Sequence, residues 1–594
     1  MASPVVDVKS PVRSPVTDWR PVPAALADHQ PADSPAARLA AFFRAKGIFA
    51  IKQEDQREQW YDDWLVYQTR HQLYAGVLSP NKYSTLGNDF NLLRLARFVE
   101  LFAYFSPGHA YSLQVTFLGL FSILMGTNEA LKHEAVEALE AGGLLAFAIS
   151  EKSHGADLFG NEFTLREMAA VPPVSPVRFR ANGSKYYIGN ANAAAIVSIL
   201  ARKEESPHNG RSRRAPFALF ALRPPKTAEG SAYGDVKKIR TLGVRAAFVG
   251  EFTVTDHELS ADDIIVEGRA AWDAVFGTVT LGKFFLGFGA IGICEHAFAE
   301  AVGHLSRRLL YGKPVIDMPH IRATMSQALA RLTAMKLYAF RALDYLQTAT
   351  ANDRRYLLFN AVQKAKVSTE GVKVMALLSE CIGAKGFEAD SYFEMALRDI
   401  QLIPGLEGST HLNFLMTAQF AAQYFADGKL AVPAAPSLLA EEITPSENDY
   451  LMQARTGGIN AVVFPDSLLA YQPLLAIPNV RLFLNQIMTL RPVLRGLEKS
   501  DRADSPLPLL AGQCLAIATY AQLVAENATI LQIPPAMTSA IFHTIILDLN
   551  TLALTLAAHP EIDPTRRAAL RNLIEVPQTT ADDWNQVAED LRIE

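Results

Sequence analysis

A single carboxylate, Glu407, follows the apolar run 402–406 and is itself followed by Gly408-Ser409-Thr410. Apolar surroundings raise the pKa of a carboxyl group towards neutrality, where it works best as a general base. The glycine that follows allows a second molecule to approach the backbone closely. Two interpretations are open from this segment alone: a buried catalytic base, or a surface glutamate beside a helix that Ser409 or Thr410 caps.

The segment resembles the C-terminal signature of acyl-CoA dehydrogenases, in which a catalytic glutamate lies eight residues after the aspartate of an Arg-Asp pair. Here Arg398-Asp399 precede Glu407 at that spacing. The resemblance implies that Glu407 removes the α-proton of an acyl thioester while the β-hydrogen leaves as hydride to N5 of FAD. Gly282 stands where some members of the family carry the base, and it has no side chain for that role. Glu407 is therefore the candidate.

Five further stretches resemble motifs of the same family, four of them flavin-binding, and occur in the family's order. They are residues 145–157, 182–191, 242–254, 308–314 and 381–387. The resemblance assigns cofactor contacts to Phe147, Ile149, Ser150, Tyr187, Ile188, Arg308, Tyr311, Glu380, Gly383, Gly386 and Ser409. It assigns substrate-side positions to Ala156, Lys283, Leu406 and Gly408, with Lys283 in place of the family's arginine.

Several positions depart from the family pattern. Gly189 replaces a threonine, Pro319 replaces a flavin-contacting glutamine, and Glu380 places a carboxylate where a glutamine near the pyrophosphate is usual. Lys385 is expected to offset part of that negative charge. These departures motivate an alternative from another class, a non-catalytic flavoprotein scaffold or regulator.

Composition excludes some classes of function. The chain has 594 residues and a net charge of −5, and it lacks the basic character of nucleic-acid-binding proteins. Cys294, Cys381 and Cys514 are far apart and match no metal or CxxC spacing, so a reducing, cytoplasmic setting is the simplest expectation. The histidines accompany no metal-binding motif, and no metal is predicted.

The periodicity predicts helices, then strands, then helices. We expect a mostly helical α+β protein with a flexible tail (1–35), an N-terminal α domain (36–143), an antiparallel β-barrel or sandwich (144–266), a four-helix bundle (267–430) and an extra helical extension (431–594). The element order comes from the pattern, and the fold name from the resemblance. The Gly-rich stretch 287–292 matches GxGxxG but lies in a helical pattern, so a dinucleotide-binding reading is rejected.

The extension resembles, in size and position only, that of very-long-chain acyl-CoA dehydrogenases and acyl-CoA oxidases. It holds 18 acidic and 10 basic residues from Ala431 onward, which argues against DNA binding. A structural role in a homodimer is favoured. Membrane docking through Ala536–Ala558 is the weaker alternative because a basic polar face is lacking. The apolar segment Tyr111–Gly126 is too short to span a membrane.

Three functions stay open. The first is a dehydrogenase that makes a trans-2-enoyl thioester and passes electrons to an electron-transfer flavoprotein. The second is an oxidase or flavin monooxygenase that uses O₂, and the third is the scaffold. The acyl group and its carrier, coenzyme A or an acyl-carrier protein, are not readable from the sequence.

Overall fold

The computed structural model describes residues 31–168, 177–204, 217–225, 234, 236–426, 433–440, 446–453, 459–495, 497 and 505–591. Most of the predicted N-terminal tail (1–30) lies outside the described residues. So does the stretch 427–432, which contains the predicted boundary between the bundle and the extension. The domain boundaries therefore stay predictions.

Six helices form the N-terminal part from residue 31 onward, as the three- and four-residue apolar spacing predicts. The fourth begins where the Asn91 side chain accepts from the Arg94 N–H, and the fifth begins with Pro107, whose missing N–H costs nothing at a helix start. The helices are α1 (Pro35–Arg57), α2 (Asp62–Arg70), α3 (Leu73–Leu78), α4 (Leu92–Phe105), α5 (Pro107–Leu124) and α6 (Glu129–Glu140).

An eight-stranded sheet follows in the described chain. Its strands are β1 (Leu144–Ala148), β2 (Thr164–Glu167), β3 (Arg178–Gly189), β4 (Ala194–Glu204), β5 (Phe217–Leu222), β6 (Lys237–Lys238), β7 (Val249–Ser260) and β8 (Ile264–Glu267). The order is β6-β7-β3-β2-β4-β5-β8, and β1 also pairs with β4. The predicted antiparallel pairing holds for most neighbouring strands, but β4 departs from it because it pairs in parallel with both β1 and β2. An alternating pattern gives the faces of a strand but not its direction.

Helices return after the sheet and carry most of the candidate site. They are α7 (Arg269–Arg307), α8 (Pro319–Gln347), α9 (Tyr356–Val362), α10 (Ser368–Ile382), α11 (Tyr392–Leu402), α12 (Thr410–Ala418) and α13 (Ala421–Tyr424). A short hairpin of β9 (Leu309–Leu310) and β10 (Lys313–Pro314) separates α7 from α8. One π-helical turn, Gln363–Val367, joins α9 to α10. The Gly-rich stretch 287–292 lies inside α7, which agrees with rejecting a dinucleotide fingerprint.

The extension adds α14 (Pro478–Leu494), α15 (Leu507–Ile530), α16 (Pro535–Ala558), α17 (Pro564–Asn572) and α18 (Ala581–Glu589). Among the described residues, α7, α15 and α16 are long and apolar enough to cross a membrane. Most of each helix is buried within the fold. The predicted order of helices, strands, helices and a further helical block is therefore confirmed for the described chain.

Candidate active site

The turn that carries Glu407 connects α11 to α12. Glu407 has φ +49° and Gly408 has φ +89°, so two consecutive residues adopt the left-handed conformation. A non-glycine residue adopts this conformation at a cost of about 1–3 kcal/mol and keeps it only where neighbouring contacts enforce it. The N-cap of α12 is Ser409, whose side chain accepts from the Leu412 N–H. The helix cap and the buried carboxylate, which were alternatives in the sequence, are thus both present.

The Glu407 carboxylate points into the protein. Its Oε1 accepts a 2.6 Å hydrogen bond from Nε2 of Gln114 on α5. Its Oε2 is buried and has no hydrogen-bond partner among the described residues. Burial raises the pKa of Glu407 to about 7, against the lowering effects of the Gln114 hydrogen bond and of the Lys364 and Lys283 charges. A carboxylate with one oxygen fixed and the other free is arranged to accept a proton near neutral pH.

Two buried lysines lie near this carboxylate without forming a direct ion pair with it. Lys283 on α7 donates to Oδ1 of Asn413 at 2.9 Å. Lys364 donates to the carbonyl oxygens of Ile403 and Pro404, each at 2.8 Å. Burial lowers the pKa of Lys283 to about 8 and that of Lys364 to about 7, and the negative charge of Glu407 opposes both shifts.

Gly282 provides the space in which the carboxylate lies. A Cβ atom at this position would be 2.7 Å from Oε2 of Glu407 and 2.3 Å from Cδ2 of Leu118. The Gly282 carbonyl oxygen also accepts from Gln114 at 2.9 Å. The absence of a side chain at Gly282 therefore permits the position of Glu407.

The Arg398-Asp399 pair joins α11 to the loop after β6. Asp399 accepts from the Val244 N–H at 2.7 Å, and Arg398 donates to the Leu242 carbonyl oxygen at 3.1 Å. Arg398 also pairs with Asp55 of α1 at 2.6 Å. Two segments recognised separately in the sequence, 242–247 and 398–410, are thus in direct contact.

The candidate flavin residues of the sheet lie together at the ends of β1 and β3. The Ser150 hydroxyl donates to the Tyr186 carbonyl oxygen at 2.6 Å, and the Tyr186 N–H donates to the Ser150 carbonyl oxygen at 3.0 Å. Tyr187 has φ +63° and is 61% exposed, and Ile149 is half-buried. Phe147 and Ile188 are buried, so a ligand at this edge would meet their backbone rather than their side chains. Ala156 is exposed in the loop after β1.

The candidate phosphate-side residues lie on two surface turns. Arg308 is exposed, and Tyr311, at φ +52°, is 98% exposed at the tip of the β9–β10 hairpin. Glu380 and Gly383 are exposed where α10 ends, whereas Gly386 is buried. A Cβ atom at Gly383 would meet nothing within 4 Å. Lys385 was expected to offset the negative charge of Glu380. It pairs with Glu388, so its positive charge is shared between two carboxylates.

The remaining predicted residues flank the base. Leu406 is half-buried, Gly408 is exposed, and Ser409 is half-buried. The Glu407 N–H donates to no described residue. Sequence reasoning missed Gln114, Lys364 and Asn413, which contact the base or its turn. Gln114 carries no local signal, because it lies in a helix whose neighbouring residues 112–124 are all buried.

No group of three or more histidine, cysteine, aspartate or glutamate side chains able to hold a metal ion occurs in the described part of the chain. The three cysteines are buried and free.

The fold thus places the Glu407 carboxylate against Gln114 of α5 and Gly282 of α7. Residues 272–421 match the family model "Acyl-CoA dehydrogenase, C-terminal domain". The chain is 23% identical over 349 residues to the cyclohex-1-ene-1-carbonyl-CoA dehydrogenase of Syntrophus aciditrophicus, covering 58% of this chain and 79% of that one. Residues 272–421 therefore carry the C-terminal domain of acyl-CoA dehydrogenases, and the chain is similar over more than half of its length to oxidoreductases of that superfamily.

Several solved structures share the fold, and two of them are informative here. An acyl-CoA dehydrogenase complexed with FAD from Bacillus anthracis aligns with a TM-score of 0.70 and 16% identity over 92% of both chains. A prolyl acyl-carrier-protein oxidase aligns with a TM-score of 0.54 and 19% identity, over 69% of this chain and 99% of that one. The first alignment extends well beyond the 272–421 family match and includes most of the extension.

Proposed function

We propose that this protein is an FAD-dependent dehydrogenase of acyl thioesters that forms the trans-2-enoyl product, with Glu407 as the α-proton base. The observation that carries this proposal is the free, buried Oε2 of Glu407, whose carboxyl group has a pKa of about 7. A group with that pKa is about half deprotonated at neutral pH and binds a proton strongly enough to remove one from carbon. The similarity to acyl-CoA dehydrogenases supports the same chemistry.

The residues present fit FAD. Three large aromatic side chains are unusually exposed where the motifs predict cofactor contacts: Tyr187, Tyr311 and Phe387. The backbone at Gly383 faces open space, and Arg308 offers a guanidinium group suited to phosphate. Ser150, Ile149 and Tyr187 would hold the ring, while Arg308, Tyr311 and the turn at Gly383 would hold the pyrophosphate side. When bound, FAD supplies the acceptor for the β-hydrogen.

The chain's own residues would then act on the α-carbon. Gln114 fixes Oε1 of Glu407, so Oε2 is the oxygen that receives the proton. The thioester α-proton is weakly acidic, and the developing enolate oxygen requires hydrogen-bond donors. The Glu407 N–H, which has no acceptor among the described residues, is the donor that we assign.

We propose a homodimer as the assembly, because the β9–β10 hairpin and the turn at Phe387 expose large apolar side chains that a partner subunit would cover. An electron-transfer flavoprotein is the proposed electron acceptor. Reoxidation by O₂ is the second candidate for this half-reaction. Because the fold is shared with an acyl-carrier-protein oxidase, both the electron acceptor and the acyl carrier need to be tested.

The test is anaerobic absorbance spectroscopy of the FAD-loaded protein. Acyl-CoA and acyl-carrier-protein thioesters of several chain lengths are added, and bleaching of the flavin band is followed. Bleaching by one class of thioester, with formation of its enoyl product, supports the proposal and identifies the carrier. A flavin that no thioester reduces, although dithionite reduces it, would contradict it. Admission of air or of electron-transfer flavoprotein afterwards distinguishes oxidase from dehydrogenase.

A further inference from the structure

The strained turn at Glu407 is held at both ends by buried side chains. At its start, Lys364 donates to the carbonyl oxygens of Ile403 and Pro404. At its end, Nδ2 of Asn413 donates to the carbonyl oxygens of Gly408 and Ser409, at 3.1 and 3.0 Å. Because Glu407 and Gly408 are both left-handed, these four contacts supply restraint that the turn itself lacks.

The helix that carries Asn413 is in backbone contact with the extension. A Cβ atom at Gly512 of α15 would lie 2.0 Å from the carbonyl oxygen of Phe414 and 3.4 Å from Cβ of Ala418. Only glycine allows two helices to approach this closely. Phe414 directly follows Asn413, so the position of α15 fixes the position of the end restraint on the base.

The segment that carries Lys364 also contacts the extension. Asp548 of α16 accepts from Lys366 at 2.9 Å, and Lys366 belongs to the same π-helical turn as Lys364. Asp548 also binds Arg331 of α8 at 3.0 and 3.1 Å and Lys373 of α10 at 2.8 Å. Glu370 of α10 pairs with the same three cations, so loss of the Asp548 charge would leave one carboxylate to balance three cations in a largely buried cluster.

We propose that the extension is a positioning element for the catalytic base. Gly512 acts through Asn413 on the end of the turn, and Asp548 acts through the π-helical turn and Lys364 on its start. The extension therefore belongs to the functional unit and does more than cover the bundle. This inference rests on the proposed function only in giving Glu407 a catalytic role.

The experiment compares two extension variants with two matched controls in the full-length, FAD-loaded protein. Gly512→Ala is matched by Gly292→Ala, where a Cβ atom would lie 2.1 Å from the Glu100 carbonyl oxygen. Both add a methyl group against a helix backbone, so both are expected to lose stability by overpacking. Asp548→Asn is matched by Asp582→Asn on the exposed face of α18. If Gly512→Ala fails to fold, Asp548→Asn can still be compared with its own control.

The first readout is hydrogen–deuterium exchange of peptides spanning residues 403–413. We expect exchange there to rise by about tenfold in Gly512→Ala and Asp548→Asn and to change little in the controls, because local opening is governed by local contacts. Unchanged exchange in both extension variants would overturn the inference. This readout needs no substrate, so its failure is distinct from failure of the absorbance experiment that tests the proposed function.

The second readout is the reductive half-reaction. Displacement of a base by about 1 Å costs on the order of a hundredfold in rate. We expect the extension variants to lose rate at saturating thioester, with KM nearly unchanged and flavin content retained. Gly292→Ala could lose as much thermal stability as Gly512→Ala and show the same fall in rate. The fall would then come from general destabilisation, which would contradict the proposal.

Discussion

The side-chain amide of Gln114 donates to Oε1 of Glu407 at 2.6 Å and to the Gly282 carbonyl oxygen at 2.9 Å. Both N–H bonds of the amide are used, one for the carboxylate and one for α7. Gln114 of α5 therefore connects the carboxylate to α7. Only Oε2 is left to exchange a proton. Gln114 is therefore a positioning residue for the proposed base, and the pKa of Glu407 depends on it.

Substitution of Gln114 by leucine should make the base harder to deprotonate. The Gln114 hydrogen bond stabilises the carboxylate and lowers the pKa of Glu407, so its loss raises that pKa further. A base works only when deprotonated, so the fall in the rate of flavin reduction at acid pH should begin at a higher pH. Stopped-flow rates across a pH series measure this, with Gln586→Leu on the exposed face of α18 as the control. An unshifted acid limb in Gln114→Leu would show that the bond does not tune the base.

A methyl group at Gly282 should displace the carboxylate without removing it. In Gly282→Ala the new Cβ atom would meet Oε2 of Glu407 and Cδ2 of Leu118 at well under contact distance. We expect a fall in the rate of flavin reduction of about tenfold or more, with FAD still bound. Gly289→Ala lies two turns further along α7, and its nearest neighbour would be Cβ of Ala103 at 4.0 Å. That control should retain activity and gain slightly in helix stability. Equal activity in the two variants would be inconsistent with the described site.

The raised pKa of Glu407 predicts a pH-dependent difference in stability between the wild-type protein and Glu407→Gln. The Glu407 carboxyl group binds a proton more tightly in the folded protein than in the unfolded one. The free energy of unfolding of the wild-type protein therefore falls as pH rises from about 4.5 through the folded pKa of about 7. Glutamine does not titrate, so the Glu407→Gln protein does not lose stability in this way. Glu407→Gln should therefore be the more stable protein above pH 7, by about 3 kcal/mol, and the difference should shrink towards pH 4.5.

Denaturant unfolding at several pH values checks this prediction. Glu167→Gln, at an exposed position of β2, provides the control and should show no such pH-dependent difference. A difference in stability between wild type and Glu407→Gln that is the same at every pH would mean that the carboxyl group titrates normally.

The base and the order of the elements could be predicted from the sequence, because both have local signals. Glu407 interrupts an apolar run, and the change from helical to alternating periodicity occurs at Leu144. The parallel pairing of β1 and β2 with β4 has no local signal, since an alternating pattern is the same for either strand direction.

The partners of the base could not be predicted for a related reason. Gln114 is 293 residues from Glu407 and lies in an apolar helix, where a glutamine indicates only a buried amide. Gly282 was recognised as unable to act as a base. That its missing side chain makes room for Glu407 depends on how α5, α7 and the turn before α12 pack together.

The role of the extension depends entirely on tertiary contacts. In the sequence, Gly512 is one glycine in a helix. Its role becomes apparent only from its close packing against the Phe414 carbonyl oxygen. In the sequence, Asp548 is only a single acidic residue within the apolar segment Ala536–Ala558. Its three cationic partners come from three different parts of the bundle.

The most direct test of the central claim is exchange of the substrate α-proton in D₂O, followed by NMR. The FAD-loaded protein is incubated with an acyl thioester analogue whose β-position carries no transferable hydrogen, so that only proton abstraction is observed. Wild type and Glu167→Gln should incorporate α-deuterium at the same rate, while Glu407→Gln should be slower by about 100- to 10,000-fold. Incorporation by Glu407→Gln at the wild-type rate would show that another group removes the proton and would contradict the account.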